Sequence, residues 1–188
     1  MENNMTRLLL INPPYPFEEC PAPPFGLMSL AAYLIREGFD VRIEDYIVEP
    51  YSAERVRQVL SEFRPHIAGS TAVTMNVKKA LAILEDFRAV NPELVTLIGG
   101  PHATFDAEGM LSHSHIDYVI RGEGEITTAE LLTAIESGRS AESIKGISYR
   151  KNGRVIHNDN RPFIENINTL PYPARDLVKI SKYRALNF

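Results

Sequence analysis

Residues 94–102, Leu-Val-Thr-Leu-Ile-Gly-Gly-Pro-His, join an apolar, strand-like run to an abrupt Gly-Gly-Pro turn. Four other short runs, rich in apolar and β-branched residues, occur between Arg7 and Ile135, and segments with helical spacing follow them. The five runs span residues 8–11, 40–43, 67–69, 94–98 and 117–120. Strands that alternate with helices along a chain predict a parallel sheet with helices on both faces.

The order of these strands in the sheet is predicted from their residue patterns. The first, third and fourth runs are apolar throughout, which is typical of strands buried on both faces. The second run alternates Val41 and Ile43 with the charged Arg42 and Glu44, which favours an edge position. The visible strands therefore predict a flavodoxin-like (Rossmann-like) three-layer α/β sandwich, with a five-stranded parallel sheet in the order 2-1-3-4-5.

The sequence changes character beyond Gly138. Asn152-Gly153 lies between two short strand-like runs, which is a strong signal for a β-hairpin. Residues 170–177, Leu-Pro-Tyr-Pro-Ala-Arg-Asp-Leu, are punctuated by proline and have no apolar core of their own. The expected organisation is an α/β domain over residues 6–138, a β-hairpin extension over 139–162 and a connector over 163–188.

The composition of the 188-residue chain excludes several classes of function. Its formal net charge is −4 and it has no run of Lys or Arg, which argues against nucleic-acid partners and a polybasic membrane anchor. Cys20 is the only cysteine, so this chain can form neither an internal disulfide nor a zinc or iron–sulfur site with several cysteine ligands. No stretch approaches the roughly 18 apolar residues of a membrane span. Because residues 1–5 lack the apolar core of a signal peptide, we expect a cytoplasmic protein.

The loops at the carboxyl ends of the strands contain the candidate binding residues. Open parallel sheets bind ligands beyond these ends, where the strand order reverses, and in the predicted order that point lies between strands 1 and 3. Glycine at such positions lets a bulky group approach the backbone closely. The candidates are Asn12, Pro13, Pro14, Pro23, Gly26 and Leu27 after strand 1, Ser70, Thr71 and Thr74 after strand 3, Gly99, Gly100, Pro101, His102 and Ala103 after strand 4, and Arg121, Gly122, Glu123 and Gly124 after strand 5.

Each of these loops also has a purely structural interpretation. Prolines can fix the chain, Ser70 and Thr71 can bond the local backbone, and His102 can cap a turn. A flavin or nucleotide site is an alternative, although prolines after strand 1 offer no N–H groups to a phosphate and the G-x-G-x-x-G fingerprint is absent. A non-catalytic interaction module that docks through residues 170–177 is another. No catalytic residue or metal ligand is assigned.

Taken in order, five short motifs resemble those of one protein family. They are residues 12–14 (Asn-Pro-Pro), 23–27 (Pro-Pro-Phe-Gly-Leu), 99–102 (Gly-Gly-Pro-His), 121–125 (Arg-Gly-Glu-Gly-Glu) and 170–175 in the connector. Together they resemble the amino-terminal cobalamin-binding domain of cobalamin-dependent radical SAM enzymes. Within that group they look most like the anaerobic magnesium-protoporphyrin IX monomethyl ester oxidative cyclases. The similarity covers essentially the whole chain.

The resemblance implies how cobalamin is held. Cobalamin domains of the methionine synthase and mutase type supply a histidine to cobalt from a D-x-H-x-x-G motif. Aligning Gly26 with the glycine of that motif places Pro21 and Pro23 at the Asp and His positions. The implied state therefore has no protein histidine below cobalt. Its dimethylbenzimidazole tail is detached and buried beside strand 3 and the Gly99-Gly100 turn, with Ser70 and Thr71 facing the nucleotide loop.

The chemistry of that family resides in a second domain. This domain is a barrel whose C-x-x-x-C-x-x-C motif holds a [4Fe–4S] cluster and S-adenosylmethionine, and this chain lacks the motif. The resemblance thus implies an amino-terminal module that binds cobalamin and catalyses nothing alone, within a parent cyclase or methyltransferase. On this view, bulky residues at Gly100 or Ser70 should abolish cobalamin binding and leave thermal stability nearly unchanged.

Overall fold

A computed structural model describes residues 5–16 and 21–183; Cys20 and residues 184–188 of the predicted connector lie outside the described residues. In the described part, one sheet of seven strands has the order β2-β1-β3-β4-β5-β6-β7. The strands are β1 (Arg7–Asn12), β2 (Asp40–Asp45), β3 (Ile67–Thr71), β4 (Val95–Gly99), β5 (Tyr118–Ile120), β6 (Ile147–Lys151) and β7 (Arg154–His157). The first five are parallel and lie in the predicted order.

The hairpin continues the main sheet, so the predicted number of five strands is too low. β6 pairs with β5 in an antiparallel register that places Tyr149 opposite Tyr118, and β7 pairs with β6. The turn between β6 and β7 contains Asn152 and Gly153, both with positive φ, as a tight two-residue hairpin turn requires. The pairing covers the free edge of the three-residue strand β5, which would otherwise expose unpaired backbone groups.

The helices form the outer two layers of the predicted three-layer sandwich. They are α1 (Phe25–Arg36), α2 (Ala53–Phe63), α3 (Val77–Val90), α4 (Pro101–Phe105), α5 (Ala107–Leu111) and α6 (Glu125–Glu136). Leu8 and Leu10 of β1 pack on the face covered by α1 and α6, whereas Leu9 and Ile11 pack on the face covered by the other helices. None of the helices within the described ranges is both long enough and apolar enough to cross a membrane.

The short helices α4 and α5 between β4 and β5 were not predicted from the sequence. Pro101 is the first residue of α4, where the N–H that proline lacks would have no helical partner. Asp106 is the N-cap residue of α5, and its carboxylate accepts a hydrogen bond from the Gly109 N–H at 3.1 Å. Five-residue helices contain too few apolar repeats for a periodicity signal, which explains why sequence analysis did not detect them.

The described part of the connector packs along helix α1. The main-chain N–H of Ile164 donates to the Glu123 carboxylate at 2.6 Å, close to the end of β5. Further along, the N–H of Ala174 donates to the Met28 carbonyl at 3.1 Å, and the Ala174 side chain is buried in the core beneath α1. The connector is therefore ordered by the α/β domain although its own sequence is poor in apolar residues.

Gly100 has a conformation and an environment that only glycine fits. Its φ is +92°, and a Cβ there would lie 2.7 Å from Thr71 Oγ1 and 2.9 Å from the Ala72 carbonyl oxygen. That carbonyl already accepts a hydrogen bond from the His102 N–H at 3.0 Å, so it is fixed in place. The expectation that a bulky residue at Gly100 would leave stability unchanged is therefore wrong, because the added side chain would strain the protein itself.

We predict that Gly100→Ala lowers the free energy of unfolding by about 2 kcal/mol, because positive φ and the contact with the backbone are both unfavourable for alanine. Gly99→Ala is the matched control, since a Cβ at Gly99 would meet only Ile120, at an ordinary 3.6 Å. Urea denaturation of both variants and the wild type measures the difference. Equal stability of the two variants would contradict the prediction.

Candidate functional site

A cavity of about 750 Å³ opens at the carboxyl edge of the sheet. It lies at the predicted place, where β1 and β3 are neighbours and the loops that follow them lead to opposite faces of the sheet. Its walls are the strand ends on one side and the first turns of α1 and α6 on the other. Its volume lies within the range of about 300–1,000 Å³ that small-molecule and cofactor sites occupy.

Glycines create the space inside this cavity. A Cβ at Gly26 in α1 would have no neighbour within 4 Å, and one at Gly124 would touch its nearest atoms only at 3.7–3.8 Å. Gly69 in β3 has a different role: a Cβ there would lie 2.5 Å from Leu97 Cδ1, so glycine lets the Leu97 side chain lie across β3. Apolar side chains also line the cavity, among them Leu97 from the sheet and Leu30 from α1.

Most of the predicted binding residues line the cavity, and their contact with a ligand stays a prediction. The twelve that line it are Asn12, Pro23, Gly26, Leu27, Ser70, Thr71, Gly99, Gly100, Pro101, Gly122, Glu123 and Gly124. The six that lie outside the lining are Pro13, Pro14, Thr74, His102, Ala103 and Arg121. The structure therefore brings together the glycines and small polar residues of all four loops, whereas the two basic candidates lie elsewhere.

Arg121 does not line the cavity and forms hydrogen bonds with the hairpin and the chain that follows it. Its guanidinium donates to the main-chain carbonyl oxygens of Ile147, at 3.2 Å, and of Asn158, and also to the side chain of Asn160. Burial lowers the pKa of this guanidinium from its usual value. These contacts fix β6 and the chain after β7 to the end of β5, which is a structural role.

His102 and Thr74 join two loops at the rim. The His102 Nδ1 atom lies 3.1 Å from Thr74 Oγ1, which connects the start of α4 to the loop after β3. Its Nε2 atom lies 3.9 Å from the carboxylate of Asp106. The neighbouring Ala103 is fully buried in the core on the face that α2 and α3 also cover. The described contacts of His102 thus agree with the turn-stabilising interpretation.

Ser70 is part of the packed sheet. Its side chain lies on the face of β3 opposite to that of Thr71, and its hydroxyl donates to the Ile11 carbonyl oxygen at 3.3 Å. Only 3% of Ser70 is exposed. A bulky residue at Ser70 would therefore disturb the contact between β1 and β3, and the expectation that it leaves stability nearly unchanged is wrong.

The sequence analysis missed Asp45, a buried carboxylate that connects the cavity wall to the connector. Its Oδ1 accepts from the Asn12 side-chain amide at 2.9 Å and from the Ile47 N–H at 3.0 Å, and its Oδ2 accepts from the Tyr183 hydroxyl. Burial and this last hydrogen bond raise the pKa of Tyr183. Asp45 is 33 residues from Asn12 in sequence, and only the parallel register of β1 and β2 pairs them.

Comparison with known proteins identifies the family. Residues 19–132 match the B12 binding domain, more than half of the chain. The chain belongs to the B12-binding domain family. The resemblance to cobalamin-binding domains, inferred above from five short motifs, is confirmed.

The relatives of this B12-binding domain are longer proteins. An uncharacterized methyltransferase from Pyrococcus horikoshii is 38% identical over 164 residues, which are 87% of this chain and 36% of the relative. The anaerobic magnesium-protoporphyrin IX monomethyl ester cyclase from Rubrivivax gelatinosus is 34% identical over 167 residues, covering 86% of this chain and 30% of the cyclase. The B12-binding domain thus matches well under half the length of either relative.

Solved structures confirm the Rossmann-like fold. The cobalamin-dependent S-adenosylmethionine radical enzyme OxsB, with aqua-cobalamin and S-adenosylmethionine bound, superposes with a TM-score of 0.80 at 21% identity, covering 96% of this chain and 25% of OxsB. The radical S-adenosylmethionine methyltransferase TsrM from Kitasatospora setae, with cobalamin and a [4Fe-4S] cluster bound, gives a TM-score of 0.74 at 22% identity. That match covers 82% of this chain and 31% of TsrM.

We predict that Asp45→Ala lowers the free energy of unfolding by about 2–3 kcal/mol, because the buried Asn12 amide and the Ile47 N–H both lose their acceptor. Tyr183→Phe is the control, since it removes one hydrogen bond at the surface end of the network and should cost at most about 1 kcal/mol. Urea denaturation compares the three proteins. A loss in Tyr183→Phe as large as in Asp45→Ala would show that the connector contact, and not the Asn12 contact, carries the stability.

Proposed function

We propose that this chain is the cobalamin-binding module of a radical SAM enzyme and that it holds cobalamin with the nucleotide tail detached from cobalt. The observation that carries the proposal is the glycine-walled cavity between the sheet and helices α1 and α6. Its lining combines the loops at the strand ends with apolar side chains of the sheet and of α1. We place the corrin ring at the strand ends and the detached base beside Gly99.

The interior of the cavity supports an apolar, planar occupant. Leu10, Leu97 and Ile120 from the sheet and Leu30 from α1 all line the cavity. Burial of about 150 Å² of an aromatic ring at ~25 cal/mol/Å² contributes on the order of 4 kcal/mol. A hydrogen bond contributes about 1 kcal/mol, so packing of the tail is the main expected source of affinity.

The lack of a histidine in the cavity lining supports the proposal that the nucleotide tail is detached from cobalt. Pro23, at the position that aligns with the ligand histidine of the D-x-H-x-x-G motif, lines the cavity. The chain has five histidines, all among the described residues, and none of them lines the cavity. We therefore propose that no imidazole of this chain binds cobalt, and that the cavity takes up the base instead.

The parent protein is proposed from the relatives. They include a cyclase and methyltransferases, and this chain corresponds to 25–36% of each. We propose residues 6–138 as the cobalamin-binding domain, residues 139–162 as its hairpin and residues 163–188 as the connector to a radical SAM barrel in the same polypeptide. That barrel would hold the [4Fe–4S] cluster and S-adenosylmethionine. Cobalamin supplies methyl-transfer or radical chemistry, and this chain supplies its binding and orientation.

Titration of the purified chain with hydroxocobalamin under reducing conditions, followed by visible absorbance, tests the proposal. We expect saturable binding with the spectrum of cobalamin whose base is detached. Saturable binding with the base still on cobalt would contradict the detached tail. Absence of binding, together with phosphate or nucleotide binding at the start of α4 or α6, would favour the flavin or nucleotide alternative.

A series at Gly99 tests the location of the tail. Gly99→Leu should weaken cobalamin binding by at least about tenfold, because its side chain would extend from a point of ordinary contact into the space proposed for the base. Gly99→Ala adds a single carbon and should bind within a few-fold of the wild type. Urea denaturation checks that both variants are folded. Wild-type affinity in a folded Gly99→Leu would place the tail elsewhere.

A further inference from the structure

Thr128, which lines the cavity, has a buried hydroxyl without a hydrogen-bond partner among the described residues. Residue 128 lies in the second turn of α6 and is 0% exposed. Among the residues that the structure describes, its Oγ1 has no hydrogen-bond partner. The same residue lines the cavity. A buried hydroxyl with no partner is unfavourable, so its presence at a binding cavity calls for a ligand atom.

Other threonines show that this hydroxyl had an internal alternative. Thr133 on the same helix donates to the carbonyl oxygen four residues earlier, at 2.9 Å, and Thr104 does the same in α4 at 3.0 Å. Thr127, the immediate neighbour, donates to the Lys145 carbonyl oxygen at 3.1 Å. Thr128 does not make the equivalent bond.

The Thr128 hydroxyl lies near Gly124, which is four residues earlier in the chain. A Cβ at Gly124 would lie 3.7 Å from Thr128 Oγ1 and 3.8 Å from atoms of Ile120 and Leu30. The hydroxyl therefore borders the space that the missing Gly124 side chain leaves open, with apolar groups around it. A ligand group that enters here meets apolar walls on the sheet and helix sides and one hydroxyl.

We propose that Thr128 is a specificity-determining residue whose hydroxyl donates a hydrogen bond to a ring nitrogen of the heteroaromatic group that enters between the sheet and α6. The inference rests on the proposed function, under which that group is the detached base of the cobalamin tail. Detachment from cobalt frees the lone pair of one ring nitrogen, which is an acceptor in the plane of an otherwise apolar ring. A site that pairs a buried hydroxyl in this way discriminates against rings that lack the acceptor, because the hydroxyl would then stay unpaired.

Thr128→Val tests the contact, because valine keeps the shape of threonine and removes the hydroxyl. The probes are hydroxocobalamin, reduced as in the titration above, and cobinamide, which has the same corrin and no nucleotide tail. We expect Thr128→Val to weaken cobalamin binding about tenfold, equivalent to about 1.4 kcal/mol, with cobinamide affinity unchanged. Thr128→Ser should restore most of the cobalamin affinity. Thr133→Val, the same change at an exposed site of α6, should bind both probes like the wild type.

The outcomes separate this inference from the proposed function. Failure of the wild type to bind cobalamin would overturn the proposed function and the contact with it. Wild-type cobalamin affinity in Thr128→Val, or an equal loss for both probes, would overturn the contact alone. The melting temperature of the chain without ligand gives an independent reading. It should rise or stay unchanged in Thr128→Val, because a methyl group replaces an unpaired hydroxyl, and a clear fall would show an internal partner and overturn the inference.

Discussion

The reversal of strand order between β1 and β3 is the constraint on which the site depends. The chain leaves β1 toward α1 on one face and leaves β3 toward α3 on the other, so the two loops diverge at this end of the sheet. Glycine keeps the resulting gap open in α1, at the end of β4 and at the start of α6, where side chains would otherwise enter it.

The parallel part of the fold was predictable because its signals are local. Apolar runs, helical spacing and the edge pattern of β2 gave the order of five strands. The position of the hairpin was not predictable, although Asn152-Gly153 marked its turn. Which sheet edge the hairpin joins depends on pairing between β5 and β6, across α6 and the loop that follows it, and on Arg121, which binds the carbonyl groups of the incoming chain. Neither the pairing of β5 with β6 nor the contacts of Arg121 can be inferred from a residue pattern.

The location of the candidate site was predictable from the sequence, but the side chains that form it were predictable only in part. Adjacent glycines at 99 and 100 look equivalent in sequence, yet Gly100 is required by its own backbone and Gly99 only by the space beside it. Sequence analysis favours residues with conspicuous chemistry, and it selected His102 and Arg121, whose described contacts are with the protein. It passed over Thr128 because a threonine inside a helix is ordinary until its hydroxyl is found without a partner.

Hydrogen bonds join the described part of the connector to the residues around the site. The connector is held near the end of β5 by Glu123, along α1 by the Met28 carbonyl and at the end of β2 by Asp45. Glu123 lines the cavity, and Asp45 orients Asn12, which also lines it. A rearrangement of the cavity wall at either strand end would therefore change a hydrogen bond that positions the connector. Asn12 and the Tyr183 hydroxyl donate to different oxygens of one buried carboxylate, that of Asp45. A shift of either group that moves this carboxylate would therefore distort the hydrogen bond of the other. We expect the cavity wall and the connector to move together for this reason.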